Sequence, residues 1–190
     1  YEIYYTLVKG GGLTSQLATV NVNDTVWISE KAHGRFVLDE IDSAHSLWLF
    51  ATGTGLGPFL SMLKTRAPWQ KYKKIILVHS VRFNAELTHQ HLINEIVAQY
   101  PLQFQTISIV TREKTIGAFN ERIPKLLQNG ALEEQIGASI QASNAQVMLC
   151  GNPAMVQEVT QSLAQRGLKV SHHKDKGHIS FENYWKSNEG

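Results

Sequence analysis

Cysteine is almost absent from this chain, which contains only Cys150. A single cysteine cannot form an internal disulfide, and it cannot supply the several thiolates that hold an iron–sulfur cluster. Disulfides belong to oxidising compartments, so the sequence predicts a reducing, cytoplasmic setting. Any iron–sulfur cluster that takes part in the function has to reside in a partner protein.

An excess of charge of one sign is also lacking, because 18 basic residues nearly balance 16 acidic ones and leave a formal net charge of +2. Such a weak field gives no argument for a nucleic-acid partner. The hydrophobic content of 43% is sufficient for a substantial core, so disorder along the whole chain is excluded.

Long apolar runs without interruption are missing too. The longest uncharged stretch, residues 46–63, contains three glycines and Pro58. We interpret it as a strand, a loop and a helix rather than a membrane span. No signal peptide is visible, and the first residue is Tyr1 instead of methionine. We therefore expect the sequence to begin within a longer protein.

From residue 46 onward, apolar and β-branched runs alternate with segments of helical pattern. The predicted strands cover residues 46–51, 74–81, 104–111 and 145–150, and the predicted helices cover residues 58–64, 89–100, 120–128 and 153–166. This alternation is typical of a parallel sheet covered by helices on both faces. The fold class predicted for this part is a doubly wound α/β domain.

The first forty residues have a different pattern. Residues 2–8 and 25–29 are predicted strands, and residues 14–20 form a predicted short helix or helical turn. Elements this few cannot bury enough surface to be stable alone. The sequence therefore predicts two parts, a remnant of a larger β-domain at residues 1–42 and the α/β domain at residues 43–190.

Two predicted strands end in glycines and lead into a helix at a proline, in residues 51–58 and 147–153. Glycine permits a sharp turn and a close approach of the backbone to a ligand, and the free N–H groups of a helix start attract phosphate. The glycine spacing departs from the usual dinucleotide fingerprint, so glycines that merely turn the chain are an equally weighted interpretation.

Three arginines follow the ends of predicted strands or open the next helix, namely Arg82, Arg112 and Arg122. Parallel strands bring their carboxyl ends to one edge, where ligands bind in open α/β sheets. Guanidinium groups there could grip the extra phosphate on the ribose of NADP. A single arginine is more often a solvated surface residue, and the shared edge is what favours the phosphate site.

With these segments in order, the chain resembles the bacterial ferredoxin/flavodoxin–NADP reductases. The resemblance runs from about Tyr4 to Trp185 and is carried by residues 51–58, Val78-His79-Ser80-Val81-Arg82, residues 108–113, Arg122-Ile123-Pro124, residues 147–153 and Glu182-Asn183-Tyr184-Trp185. It implies that the α/β part is the NADP-binding domain of ferredoxin reductase type, preceded by a remnant of an antiparallel β-barrel that binds FAD.

The resemblance also implies roles for individual residues. The implied NADP-binding residues are Gly53, Gly55, Val81, Arg82, Thr111, Arg112, Arg122, Cys150, Asn152 and Pro153. The implied FAD-binding residues are Tyr4, Gly12, Leu13, Thr14, Thr54, Tyr184 and Trp185. Cys150 is expected to pack against and orient the nicotinamide, and Glu182 to lie near the flavin. Taken alone, Thr14 would be an ordinary helix N-cap and Tyr4 an ordinary strand aromatic.

Two departures from the family pattern are visible. The family's earlier barrel strands and its arginine, aromatic and serine flavin motif would precede Tyr1, so the FAD site is expected to be incomplete in these residues. In addition, the family members that this pattern resembles end at the tyrosine–tryptophan pair, whereas residues 186–190 follow that pair here.

The implied function is electron transfer between NADPH and ferredoxin or flavodoxin through FAD. One alternative is another reductase of the superfamily, which serves an oxygenase or a ferric substrate. A second is a nucleotide-binding module without catalysis, because fold alone does not prove a reaction. No metal site is predicted: His89 and His91 would face different sides of a helix, and the histidines near residues 172–178 lie in a polar, loop-like segment.

Overall fold

The structure is a computed structural model that describes residues 2–8, 10–31, 33–172 and 175–183. It divides into two compact units, Tyr1–Arg35 and Phe36–Gly190. The division lies a few residues before the boundary expected from the sequence. The assignment of the first unit to a β-barrel domain stays a prediction.

The described residues of the first unit contain one helix, α1 (Gly12–Leu17), and no strand. The strand predictions for residues 2–8 and 25–29 are therefore wrong for this structure. A strand needs a second strand to pair with, and neither segment is paired with another described segment as a strand. Their alternating apolar residues remain exposed, as Trp27 illustrates at 94%.

The second unit is a five-stranded parallel sheet with helices between the strands, as predicted. In chain order its elements are β1 (Ser46–Thr52), α2 (Leu56–Leu63), α3 (Ala67–Lys71), β2 (Lys74–Val81), α4 (Gln90–Gln99), β3 (Phe104–Val110), α5 (Ile123–Gln128), α6 (Ala131–Ile136), β4 (Ala145–Gly151), α7 (Pro153–Gln165) and β5 (Ile179–Asn183). The sheet order is β3-β2-β1-β4-β5, and all neighbouring strands are parallel.

The central strands are buried on both faces, which explains their continuous apolar sequences. Every second side chain, such as Trp48, Phe50 and Leu149, packs in one core with α5, α6 and α7. The alternate side chains face the other side of the sheet, where α2 and α4 supply buried residues including Phe59 and Ile93. Helices thus cover both faces, and the strand ends remain the places where a ligand can approach.

Three elements were not predicted. The helices α3 and α6 are only 5 and 6 residues long, too short for a periodic pattern to be read. The edge strand β5 follows a polar segment and leaves Phe181 exposed, so its sequence lacks a continuous apolar run.

The chain that leads into the sheet is held by polar contacts at the amino edge. Lys71 Nζ donates hydrogen bonds to the carbonyl oxygens of Leu38 and Ile41, and the Tyr72 hydroxyl donates to the carbonyl of Asp42. Burial lowers the pKa of Lys71 and raises that of Tyr72. These contacts fix the entry into β1, at the edge opposite to the candidate site.

Candidate functional site: the carboxyl edge of the sheet

The strand order reverses between β1 and β4, because β2 and β3 extend the sheet to one side and β4 and β5 to the other. In open α/β sheets the loops at such a reversal leave in opposite directions and open a crevice outside the carboxyl ends. Here the crevice is bordered by the ends of β1 and β4, which are followed by the two predicted glycine turns.

Gly55 and Gly151 bring those two strand ends into close contact. A Cβ atom on Gly55 would lie 2.2 Å from the carbonyl oxygen of Cys150. A Cβ on Gly151, whose φ is +131°, would lie 2.1 Å from Thr52 Oγ1. Both distances are far below van der Waals contact, so only glycine fits at either position. The two glycine turns predicted from the sequence thus form one junction.

The junction is completed by hydrogen bonds of Thr52 and Asn152. The backbone N–H of Asn152 donates to Thr52 Oγ1 over 2.7 Å, and Asn152 Oδ1 accepts from the N–H of Ala154 over 2.8 Å. Asn152 is therefore the N-cap of α7, and Pro153 occupies the first turn of that helix. Gly53, at a φ of +51°, has nothing within 4 Å of a Cβ position, so its bare backbone faces open space.

His79 supports the glycine turn from within the sheet. Its side chain is only 2% exposed, and its Nε2 lies 3.1 Å from the carbonyl oxygen of Gly53. Because a carbonyl can only accept, Nε2 carries the hydrogen and donates it. Burial lowers the pKa of His79 to about 4, so the ring is neutral at pH 7.

The neutral, buried His79 predicts a pH-dependent stability. Its folded pKa of about 4 lies below the ordinary value of 6.5, so the unfolded chain binds more protons between these values and stability is lost as the pH falls through this window. Between pH 7 and pH 5 this single group should cost about 2 kcal/mol. The variant His79→Gln keeps an amide donor but has no imidazole. In urea denaturation we expect its free energy of unfolding to fall less between pH 7 and pH 5 than that of the unaltered protein, by that amount. An equal loss in both proteins would contradict the burial of a neutral imidazole.

The three predicted arginines lie at the carboxyl edge on the side of β2 and β3. Arg82 directly follows β2, Arg112 lies two residues after the end of the paired strand β3, and the Arg112 N–H donates to the Arg82 carbonyl over 2.9 Å. Arg122 is the N-cap residue of α5. Beside them, Val81 is buried, and the Thr111 hydroxyl donates to the Val81 carbonyl over 3.2 Å. The convergence of the three guanidinium groups on one phosphate stays a prediction.

Two of these arginines are already engaged by carboxylates that the sequence reasoning missed. Arg82 pairs with Glu86 and Arg122 pairs with Glu158, each through an N–O contact of 2.9 Å. Burial alone would raise the pKa of Glu86, but hydrogen bonds from Arg82 and Phe83 outweigh it and hold the pKa below its usual value. The first pair has the i, i+4 spacing that could have indicated it, whereas the second joins residues far apart in sequence.

Cys150 and Glu182 lie in one row across the sheet. Ser108, His79, Ala51, Cys150 and Glu182 occupy matching register positions on the five strands. Cys150 is fully buried, and Glu182 is exposed on the edge strand β5. This row places both residues one position before the carboxyl ends, while their roles toward nicotinamide and flavin stay predictions.

Four residues predicted to bind FAD lie in the first unit. Gly12 and Leu13 open α1 and are exposed, and Tyr4 is half-buried. Thr14 Oγ1 accepts a hydrogen bond from the Val8 N–H over 3.2 Å. The N-cap of α1 is Gly11, so Thr14 is not a helix N-cap. Of the other predicted FAD residues, Thr54 lies half-buried in the turn after β1, and Tyr184 and Trp185 fall outside the described residues.

The described residues contain no metal-binding cluster and no helix able to span a membrane. Within residues 2–8, 10–31, 33–172 and 175–183, no group of three or more His, Cys, Asp or Glu side chains is placed to hold a metal ion. The helices of that same part of the chain are all too short or too polar to cross a lipid bilayer.

A parallel sheet with a glycine junction at its strand-order reversal and arginines at the same edge is typical of nucleotide-binding α/β domains. In agreement, the family model described as the oxidoreductase NAD-binding domain matches residues 49–161. The chain is 42% identical over 185 residues to a flavodoxin/ferredoxin–NADP reductase of Buchnera aphidicola subsp. Baizongia pistaciae, which covers 97% of this chain and 74% of the relative.

Further relatives agree. A flavodoxin/ferredoxin–NADP reductase of Escherichia coli K12 is 36% identical over 97% of this chain and 75% of the relative. The crystal structure of a ferredoxin–NADP⁺ reductase from Neisseria gonorrhoeae with bound FAD and NADP superimposes with a TM-score of 0.84, at 28% identity, over 94% of this chain and 72% of that one. The chain belongs to the flavodoxin/ferredoxin–NADP reductase family.

Proposed function

We propose that this chain is part of a flavoenzyme that transfers electrons between NADPH and ferredoxin or flavodoxin through FAD. The observation that carries the proposal is the carboxyl edge of the sheet, which carries both the junction of Gly55 with Gly151 and the arginines after β2 and β3. Family membership supports the same reaction, because the relatives named above are flavodoxin/ferredoxin–NADP reductases.

The residues present at this edge fit a phosphorylated pyridine dinucleotide. The bare backbone of Gly53 faces open space, so a ligand can approach it closely. The first turn of the 13-residue helix α7 presents backbone N–H groups beyond Asn152 and Pro153. We assign the ribose phosphate of NADPH to Arg82, Arg112 and Arg122, with Val81 and Thr111 forming the floor beside them.

The nicotinamide end is assigned to the junction itself. Gly53 and Gly55 leave two of the three positions of the turn after β1 without a side chain, and the His79 ring contacts the Gly53 carbonyl. The buried Cys150 packs beneath the junction and limits how deep a ring can enter, while Glu182 supplies a polar group at the edge. These residues orient the ring and exclude water, so that the reacting atoms are held within reach.

FAD, when bound, accepts a hydride from NADPH and passes electrons singly to the carrier. Among this chain's own residues, we assign flavin contacts to Tyr4, Gly12, Leu13, Thr14, Thr54, Tyr184 and Trp185. The exposed N–H groups of Gly12 and Leu13 could receive a flavin phosphate. Thr54 belongs to the turn after β1, next to the proposed nicotinamide position.

We assign the role of electron carrier to ferredoxin or flavodoxin, as in the names of the relatives, and we assign the protein to the cytoplasm. The single cysteine, Cys150, is buried and forms no disulfide within the chain, which suits a reducing compartment. One cysteine cannot supply the thiolates of an iron–sulfur cluster within these residues, which suits a separate one-electron carrier.

The proposal is tested by the absorbance of the full-length protein, with FAD bound, under anaerobic conditions. We expect NADPH to bleach the flavin bands much faster than NADH does, and the reduced protein to transfer electrons to flavodoxin or ferredoxin. Reduction by NADPH without transfer to either carrier would favour a reductase for an oxygenase or a ferric substrate. Absence of FAD from the purified full-length protein would favour a nucleotide-binding module without catalysis.

A further inference from the structure

The arginines at the carboxyl edge are not equivalent, because acidic side chains engage two of them. Glu86 Oε1 accepts from the Arg82 guanidinium over 2.9 Å. Glu86 Oε2 accepts from the backbone N–H groups of Arg82 over 2.9 Å and of Phe83 over 3.3 Å. One oxygen of Glu86 thus holds the turn after β2, and the other holds the side chain that is assigned to phosphate.

The second pair arises from helix packing. The Arg122 guanidinium contacts Glu158 Oε1 over 2.9 Å, and the two residues come from the N-cap of α5 and from α7. These two helices lie on the same face of the sheet, in one core cluster. The contact therefore depends on the tertiary fold and restrains Arg122 from outside its own loop.

The Arg112 guanidinium makes no hydrogen bond or ion pair with any residue in the described part of the chain. The backbone N–H of Arg112 donates a hydrogen bond to the Arg82 carbonyl, which holds the Arg112 backbone beside Arg82. An incoming phosphate would need to displace no carboxylate from Arg112.

We propose that Glu86 and Glu158 are specificity-determining residues, which weaken the binding of the ribose phosphate by occupying Arg82 and Arg122 and leave Arg112 as its main anchor. This inference rests on the assignment of the three arginines to the ribose phosphate of NADPH. A phosphate that binds to Arg82 or Arg122 must share the guanidinium with a carboxylate of its own charge sign, and the like charges repel one another.

The matching amide substitutions separate the ion pair from the shape of the loop. In Glu86→Gln, the amide oxygen can still accept from the two backbone N–H groups, while its NH₂ group replaces the oxygen that held the guanidinium. The turn after β2 is thereby kept and Arg82 is released. Glu158→Gln likewise removes the charge opposite Arg122 with little change in volume.

The experiment measures binding of 2′-AMP and 5′-AMP to the purified protein by calorimetry, because these probes differ in the position of one phosphate. We expect Glu86→Gln and Glu158→Gln each to tighten 2′-AMP binding about threefold to tenfold, and to change 5′-AMP binding less than twofold. Arg112→Ala should weaken 2′-AMP binding more than Arg82→Ala or Arg122→Ala does.

Glu121 provides a strict control. It precedes Arg122 in sequence, but its carboxylate pairs with Lys125. Glu121→Gln removes one negative charge from the same region without releasing an arginine, so 2′-AMP affinity should change less than twofold. In an Arg82→Ala background, the effect of Glu86→Gln should disappear, since the two residues act as a pair.

The possible outcomes are separable. Suppose that the unaltered protein prefers 2′-AMP while neither glutamine variant increases the affinity for 2′-AMP, or while Glu121→Gln has the same effect as Glu158→Gln. Either result overturns the role of the carboxylates and leaves the NADP assignment standing. If the unaltered protein does not prefer 2′-AMP over 5′-AMP, both the NADP assignment and this inference are overturned.

Discussion

Replacing Gly151 by alanine is expected to lower the free energy of unfolding by about 3 kcal/mol or more. The added Cβ would lie 2.1 Å from Thr52 Oγ1 and 2.7 Å from the Thr52 carbonyl oxygen. The backbone φ of +131° is also one that alanine rarely adopts. Either the ends of β1 and β4 separate, or the hydrogen bond from Asn152 to Thr52 is lost.

A matched control for this substitution is Gly137→Ala. Gly137, the residue after α6, also has a positive φ, of +66°, but nothing lies within 4 Å of its Cβ position. The backbone strain alone should cost about 1 kcal/mol there. Urea denaturation of both variants separates strain from steric overlap, and equal losses in the two variants would contradict a tight contact between β1 and β4.

The double substitution Arg82→Ala/Arg112→Ala is expected to reduce kcat/KM for NADPH by about 100-fold or more, since each charge-assisted hydrogen bond to phosphate contributes roughly 1.5–3 kcal/mol. NADH lacks the ribose phosphate and gains nothing from these groups, so its kcat/KM should remain nearly unchanged. Steady-state reduction of a dye acceptor by the full-length protein with FAD bound measures both values.

The control for the loss of positive charge is Arg66→Ala. Arg66 is exposed and lies at the start of α3, which leads into the amino end of β2, so it belongs to the opposite edge of the sheet. We expect this variant to keep its preference for NADPH. Equal losses with NADPH and NADH in the double variant would mean that Arg82 and Arg112 support the fold or the shared part of the nucleotides.

Much of the α/β unit could be predicted from the sequence because its central strands are buried on both faces. The apolar runs of β1, β2 and β4 are nearly continuous and end at glycine or arginine, and the predicted bounds of these strands and of β3 agree with the structure to within one residue. Residues 2–8 and 25–29 are predicted as strands from short segments in which apolar and polar residues are mixed. These predictions are wrong for this structure because a local pattern does not provide a hydrogen-bonding neighbour.

The positions of the glycine turns could also be predicted, since glycine followed by proline signals a strand-to-helix turn. Their mutual contact could not, because it depends on β4 lying beside β1 in the sheet. The same holds for the pairing of Arg122 with Glu158, which requires α5 to pack beside α7. His79 belongs to a segment that carries the family resemblance, but its hydrogen bond to the Gly53 carbonyl depends on the register of β2 with β1.

The central claim, that the carboxyl edge of this sheet is the NADP site, is tested most directly by hydrogen–deuterium exchange with and without NADP⁺. We expect protection at residues 52–55, 82–86, 111–113 and 151–154, with NAD⁺ protecting residues 82–86 and 111–113 much less. Protection confined to the amino edge, around residues 38–45 and 71–74, would contradict the account.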